Sequence, residues 1–456
     1  MDFSIPNGMC FLRRSIVEPL YYSHIGSPRL AYWKELEGTQ FLPEEVLRER
    51  QWQSLEKILH YVYHNNPYYR RCFDRAGIQP KDIHSAEDFS RFPILTKQLI
   101  RQNANELISD DFCRQDLMQF KTGGSTGTSL VLYITEECSE QRNACARRYD
   151  RWTGWEPGEP VGAVWGNPEI PRGMVSKLKE WLLNPMIYLD TMSVSDEAVK
   201  RFAHQWRKVK PTLLFGHAHS LYILAEYAER IGIDVINPKG ILSTSMMLLP
   251  HERQKIEQVF GVKVTDRYGC EEVSLIACEC ECHNGMHLNI ENLYVEFIND
   301  DGAKTQPGQM GKIIVTDLMN KAMPFIRYQV EDMGVPSNRK CPCGRGLPLM
   351  ENVVGRLADF LLRRDGSQVA GVSLIENTLT RIPGIEQMQI IQEALEHFVI
   401  KLVVGESFTQ SALAGLLAYF KRQFGQESEF EIVYVDSIPP DSSGKYRFSI
   451  CRLPHG

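Results

Sequence analysis

The chain has 456 residues, which at about 150 residues per domain predicts roughly three folding units. Its 43% hydrophobic and 24% charged content excludes disordered, collagenous and low-complexity classes. Lys and Arg total 51 against 57 Asp and Glu, and a net charge of −6 leaves no basic field for general nucleic-acid binding.

Residues 1–44 are aromatic-rich and read as an irregular N-terminal arm lying across the body. From 45 to 75 apolar residues recur at helical spacing (Trp52, Leu55, Ile58, Leu59, Val62, Tyr63) until Asn66-Pro67 breaks the pattern. A strand at 130–134 follows a glycine-rich segment and precedes a polar helix at 136–152. Strands at 161–165, 212–215, 241–242 and 263–267 then alternate with helices at 219–231 and 250–260, the latter with Pro250 in its first turn. This alternation predicts α/β layers on a largely parallel sheet. From 287 to 335 consecutive strands take over. The last hundred residues predict a separate α+β unit with strands at 386–392, 398–404 and 430–435 and a helix at 409–424. A charged turn near 357–366 marks the boundary. No apolar run is long enough to span a membrane, and the N-terminus lacks the ordered regions of a secretory signal. The expected location is therefore cytoplasmic, with neither membrane nor nucleic acid as partner.

Four short motifs stand out. Lys121-Thr122-Gly123-Gly124-Ser125-Thr126-Gly127-Thr128-Ser129 concentrates glycines and hydroxyls that can turn toward phosphate oxygens. It is not a Walker loop, and alone it reads equally as a hairpin linker. Tyr268-Gly269-Cys270-Glu271-Glu272 follows a predicted strand. Arg327-Tyr328-Gln329-Val330-Glu331-Asp332, with Gly355-Arg356, carries charges that alone read as surface ion pairs. Ser443-Gly444-Lys445 presents a lysine near the C-terminus.

Of the 12 cysteines, six fall between 270 and 343. Thiols stay reduced in a cytoplasm, so their clustering points to metal before disulfides. Cys278-x-Cys280-x-Cys282-His283-x₃-His287 and Cys341-Pro-Cys343 offer enough sulfur and imidazole for a tetrahedral zinc site. Spacing leaves open whether Cys278, Cys282 or His283 takes a ligand place.

Taken together and in order, TGGSTGTS (122–129), YGCEE (268–272), AMPFIRYQVED (322–332), CPCGR (341–345), VGR (354–356) and SGKYR (443–447) resemble the phenylacetate–coenzyme A ligase family of adenylate-forming enzymes, including its capsule-biosynthesis homologues. The resemblance runs from about 45 to 452. It implies an ANL-type α/β fold: a large domain at 45–357 with a β-rich, zinc-bearing part at 270–350, and a small α+β lid at 358–456. It implies ATP-dependent conversion of a carboxylic acid to an acyl adenylate, then transfer to coenzyme A.

By the same resemblance, Thr122, Gly123, Gly124, Ser125, Thr126, Gly127 and Thr128 would hold phosphates, and Glu272 would help bind Mg²⁺. Asp332 would receive the ribose hydroxyls, Arg356 the ribose or phosphate, and Tyr268 with Gly269 would lie beside the adenine. Lys445 matches the catalytic lysine. Cys280, His287, Cys341 and Cys343 match a structural zinc site. Trp165, Gly216, His217 and Ala218 fall at strand ends that would form the acid pocket, whereas Phe215 reads as packing. The chain departs from the wider superfamily at the hinge, where Ala358 replaces an acid and Asp359 is the substitute. It departs again after Gly127, where no Pro-Lys pair follows. Two other readings stay open. One is adenylation with a carrier protein, amine or cofactor as acceptor; the other is a non-catalytic nucleotide- or zinc-dependent interaction protein. A homodimer is left open.

Overall fold

The structure, a computed structural model, describes residues 5–121, 130–165, 173–190, 194–356, 360–365, 368–370, 374, 378, 382–405, 407–438, 447 and 449–453. The segment 122–129, the hinge residues Ala358 and Asp359, and Lys445 therefore lie outside the described residues. An antiparallel pair, β1 (Met118–Lys121) and β2 (Val131–Ile134), flanks the glycine-rich segment.

The body is organised on one sheet built from β3 (Val161–Trp165), β4 (Met186–Asp190), β5 (Leu213–His217), β6 (Gly240–Thr244), β7 (Val264–Cys270), β8 (Ser274–Glu279), β9 (Met286–Leu288), β10 (Leu293–Ile298), β11 (Gly311–Asp317), β12 (Tyr328–Ser337) and β13 (Leu349–Arg356). Among the described residues it has 11 strands in the order β10-β11-β12-β13-β9-β8-β7-β6-β5-β3-β4. From β3 to β7 the pairs are parallel. From β7 onward every pair is antiparallel. The parallel sheet expected for the alternating strands is thus present from β3 to β7. The β-rich stretch is no separate layer but the antiparallel continuation of the same sheet. Periodicity cannot show this, because it reports which face of a strand is apolar and not which strand lies beside it.

The parallel half is generated by helices that return the chain between strands. Helix Asp196–Val209 buries Val199, Phe202 and Trp206, spaced for one face, and is capped by Ser195, whose hydroxyl accepts from Ala198 N. Helix Pro250–Phe260 has Pro250 at its start and Gly261 at φ 70° at its end, as the sequence predicts.

The N-terminal arm is not irregular. It forms helices Ile5–Leu12, Glu18–His24 and Arg29–Thr39, with a π-helical turn at Arg13–Val17. They dock on helix Glu136–Trp152 through Arg29–Glu140 (2.7 Å), through an ion pair of Arg147 with Glu18, and through Arg147 stacked over Trp33 at 4.8 Å. Such contacts are tertiary, so the arm's own apolar spacing does not announce the helices.

The C-terminal residues include a short antiparallel pair, β14 (Phe360–Leu362) and β15 (Gln368–Ala370). A second sheet has the order β18 (Glu429–Tyr434), β17 (His397–Val404), β16 (Ile385–Ala394), β19 (Ser449–Cys451). Helix Gln410–Phe424 lays Leu416, Phe420 and Phe424 on Phe398, Ile400 and Leu402, forming a core of its own. No helix among the described residues is long and apolar enough to cross a membrane.

Arg327, readable in sequence as a surface group, is instead 2% exposed and adopts φ 50°. Its guanidinium donates to Glu296 Oε2 (3.0 Å), to the Phe92 carbonyl (2.6 Å) and to the Ser90 carbonyl. It rivets the 90–95 segment to β12. Arg327→Met would strand the Glu296 carboxylate and two main-chain oxygens, with an expected loss of roughly 3–5 kcal/mol in urea unfolding. A loss below about 1 kcal/mol would contradict this role.

Candidate active site and metal cluster

The YGCEE segment forms the turn between β7 and β8. Gly269 is required there by close approach, since a Cβ would fall 2.5 Å from the Ser274 carbonyl oxygen. The register slips between Tyr268 and Gly269, and Ser274 takes φ 66°. This bulged hairpin turns the Glu272 side chain inward, where it is buried.

Two hydroxyls then bridge the hairpin to β12. Tyr268 donates to Asp332 Oδ2 at 2.8 Å, and Tyr328 donates to Glu272 Oε1 at 3.0 Å. Both acids are almost fully buried. Burial and the charge of Glu272 push the Tyr328 phenol well above its ordinary pKa, so it remains a donor. Arg142, on helix Glu136–Trp152, closes the arrangement. It donates to the Glu272 carbonyl at 3.0 Å and pairs with the buried Asp317 at 2.9 Å. The backbone of Arg356 lies directly opposite Asp332 in the β12–β13 ladder. Its side chain lies outside the described atoms.

The sequence motifs contain Glu272, Asp332 and Tyr268 but assign no role to Tyr328, Arg142 or Asp317. Tyr328 was the one with a signal, since it sits inside the AMPFIRYQVED run. Arg142 and Asp317 have none, because their pairing exists only once a helix meets a strand end.

The expected acid-pocket residues also gather, at the carboxyl ends of β3 and β5. The Trp165 and His217 ring centroids are 3.8 Å apart. Trp165 also stacks on Phe215 at 5.3 Å and 11°. Phe215 is half-buried and packs against the main core, with the Arg267 guanidinium over its ring at 5.4 Å. Gly216 permits the close strand packing: a Cβ there would lie 2.7 Å from the Val164 carbonyl. Ala218 begins the following helix and is fully buried. In open α/β sheets this edge is where ligands bind.

Cys280, His287, Cys341 and Cys343 converge so that one ligand atom from each lies within 4.8 Å of the others. Cys280 Sγ is 3.5 Å from Cys341 Sγ, and Cys343 Sγ is 3.3 Å from His287 Nε2. His287 Nδ1 donates to the Leu347 carbonyl at 2.9 Å, which leaves Nε2 facing the sulfurs as an acceptor. Burial lowers the His287 pKa to about 4, so the ring is neutral near pH 7. Backbone N–H groups of Cys282 and Arg345 point at Cys280 Sγ (3.4 Å) and Cys343 Sγ (3.5 Å). Burial raises the Cys343 thiol, but the Arg345 backbone and guanidinium outweigh it and bring the pKa below the ordinary value.

The residues that spacing left open are placed elsewhere. Cys278 is buried in the core, Cys282 is exposed, and His283 sits 3.3 Å from Glu279.

Gly269→Ala forces its new methyl against backbone, not against a flexible side chain. The expected outcome is a destabilisation of about 1–3 kcal/mol, read as a lower Tm. An unchanged Tm would show that the hairpin relaxes freely.

Comparisons with known proteins agree with this architecture. A family model described as the CapK C-terminal domain matches residues 361–452. Protein CapK of Staphylococcus aureus is 24% identical over 414 residues, covering 89% of this chain and 90% of that protein. Phenylacetate-coenzyme A ligase of Thermus thermophilus is 26% identical over 393 residues, covering 83% and 85%. A crystal structure of 2-hydroxyisobutyryl-CoA ligase, in the postadenylation state with R3-HIB-AMP, superposes with a TM-score of 0.68 at 21% identity, covering 91% of each chain. The chain is a homologue of the CapK and phenylacetate–coenzyme A ligase proteins, and its fold is that of the adenylate-forming ligases.

Proposed function

We propose that this protein activates a carboxylic acid with ATP and passes the acyl group to coenzyme A. The observation that carries this reading is the buried acid pair, Glu272 held by Tyr328 and Asp332 held by Tyr268, at motif positions shared with acid–CoA ligases. The names of the relatives support it: several are phenylacetate-coenzyme A ligases, and the structural neighbour carries an acyl-AMP.

The chemistry follows from charge. A carboxylate is a weak electrophile, so one of its oxygens first attacks the α-phosphorus of ATP and pyrophosphate leaves. The acyl carbon then bears AMP as a good leaving group, and the coenzyme A sulfur displaces it to form the thioester. Anionic acid and polyanionic phosphate must meet, so positioning and charge compensation supply most of the catalysis.

Residues 122–128 are the proposed phosphate loop. A Mg²⁺ ion, a hard cation suited to carboxylate oxygen, would offset phosphate charge at Glu272. Tyr328 fixes that carboxylate's rotamer in advance. Asp332 is oriented by Tyr268 to accept the ribose hydroxyls. Arg356, whose backbone pairs with Asp332, would contact the ribose or phosphate. Trp165, Gly216, His217 and Ala218 line the proposed acid pocket. Lys445 supplies positive charge between the carboxylate and the α-phosphate, from a lid at 358–456 that moves about Asp359 relative to the 45–357 body.

The four-donor Cys₃His set suits zinc. A full set leaves no open position, so the metal would be structural. Held there, it would tie the strand after Glu272 to the segment that leads into β13.

Carboxylate-dependent ATP–pyrophosphate exchange across a panel of acids, with and without coenzyme A, tests the assignment. Exchange plus a thioester by mass spectrometry is the expected result. Exchange without thioester would move the acceptor to a carrier protein, amine or cofactor. No exchange with any acid would leave a non-catalytic nucleotide- or zinc-dependent module. Lys445→Ala should lower exchange roughly 10²–10³-fold while ATP binding changes little. Equal exchange in the variant would remove Lys445 from the mechanism. Elemental analysis should find about one zinc per chain, lost in Cys343→Ser. A stoichiometry near zero in native protein would exclude the metal.

A further inference from the structure

Two adjacent helical segments share an apolar face that the described residues leave uncovered. Helix Met174–Leu183 exposes Met174 (88%), Val175, Leu178 and Trp181, which its period places on one side. The Arg13–Val17 turn packs beside it, and the N-terminal helices add exposed Phe11, Ile16 and Leu20 (65%). Two contacts lock the segments together: the Arg13 guanidinium over Trp181 at 5.2 Å, and Lys179 Nζ over Tyr21 at 5.0 Å. The face is therefore a preset surface of two helices. Exposed apolar side chains grouped on one side of a helix, with more on the segment packed beside it, point to an interaction site.

The charge around it is one-sided. Lys177 is exposed beside Leu178, and Lys179 borders the seam. Arg14 adds a third cation, tied to Glu156 at 3.3 Å. The acids of the same segments are withdrawn: Glu18 is buried against Arg147, and Glu180 is half-buried beside Tyr188. This basic rim stands on a chain whose net charge is −6. A second copy docked about a two-fold axis would bring the same lysines toward each other. An anionic lipid surface offers both an apolar layer and a complementary charge.

We propose that this face is a peripheral membrane-docking surface. Met174, Val175, Leu178 and Leu20 enter the headgroup–acyl boundary, and Lys177 and Lys179 sit at the anionic headgroups. Nothing in this proposal depends on the ligase chemistry. It departs from the expectation of no membrane partner, which rested on the lack of a membrane-spanning segment.

The test is co-sedimentation of the full chain with phosphatidylcholine vesicles, with and without phosphatidylglycerol, at low and high salt. Expected is binding to the anionic vesicles that weakens with salt. Replacing Lys177 and Lys179 by Gln should reduce it about fivefold per lysine. Leu178→Asp should abolish it, and Met174→Asp provides a second exposed site should the first variant misfold. Absence of binding to anionic vesicles overturns the proposal, as does unchanged binding in both Asp variants. Sedimentation velocity showing a dimer that Leu178→Asp dissociates, without vesicle binding, would give the face to a second copy and likewise overturn it.

Discussion

The two tyrosine hydroxyls that join the β7–β8 hairpin to β12 are the contacts on which the candidate site depends. In sheet order β7 and β12 are separated by β8, β9 and β13. Four steps across a flat sheet would put them about 19 Å apart. Hydrogen bonds of 2.8 and 3.0 Å therefore demand that the sheet fold over on itself. The fold-over is permitted by β9, which is three residues long and meets β13 only at Leu349 and Met350. Beyond that short seam β13 is free to follow β12. The result brings two buried carboxylates, each with a tyrosine hydroxyl donor, to one place.

Holding carboxylates there is costly unless each keeps its partners. The surrounding structure meets that cost with fixed groups. Arg142 and Asp317 clamp the turn that carries Glu272, and Arg327 fixes the start of β12 to the 90–95 segment. The cysteine cluster secures the other flank. Arg345, beside Cys343, donates to both carboxylate oxygens of Glu281 and to Gln40, and stacks over Trp152 at 4.5 Å. Gly346 fits only because it lacks a Cβ, which would lie 1.8 Å from the Leu42 carbonyl. The N-terminal helices, the cluster and the β7–β8 hairpin are thus one connected framework.

That framework gives the proposed reaction its form. Preorganised donors orient acids before substrate arrives, so little reorganisation remains for the step in which charge builds. The parallel half of the sheet contributes a different property. Its strand ends present Trp165, Phe215 and His217 as a stacked aromatic surface.

Most elements were legible in the amino-acid order. Strongly periodic helices such as Glu44–Asn65 and Gln410–Phe424, and strands such as His397–Val404, follow from local spacing alone. The candidate positions Glu272, Asp332 and the Cys/His set came from the resemblance carried by short contiguous motifs, not from spacing alone. The N-terminal helices were not legible, because ion pairs to Glu140 and Arg147 hold them. Neither was the pairing of β9 with β13, since those partners lie far apart in sequence. The sequence by itself determined the local elements and the short motifs that hold the candidate site residues. Only the tertiary structure decided how they meet: Tyr328 on Glu272, Tyr268 on Asp332, and Cys280 rather than Cys278 or Cys282 among the four donors. Composition and spacing are local properties, whereas a hydrogen bond across a folded sheet depends on the path of the whole chain.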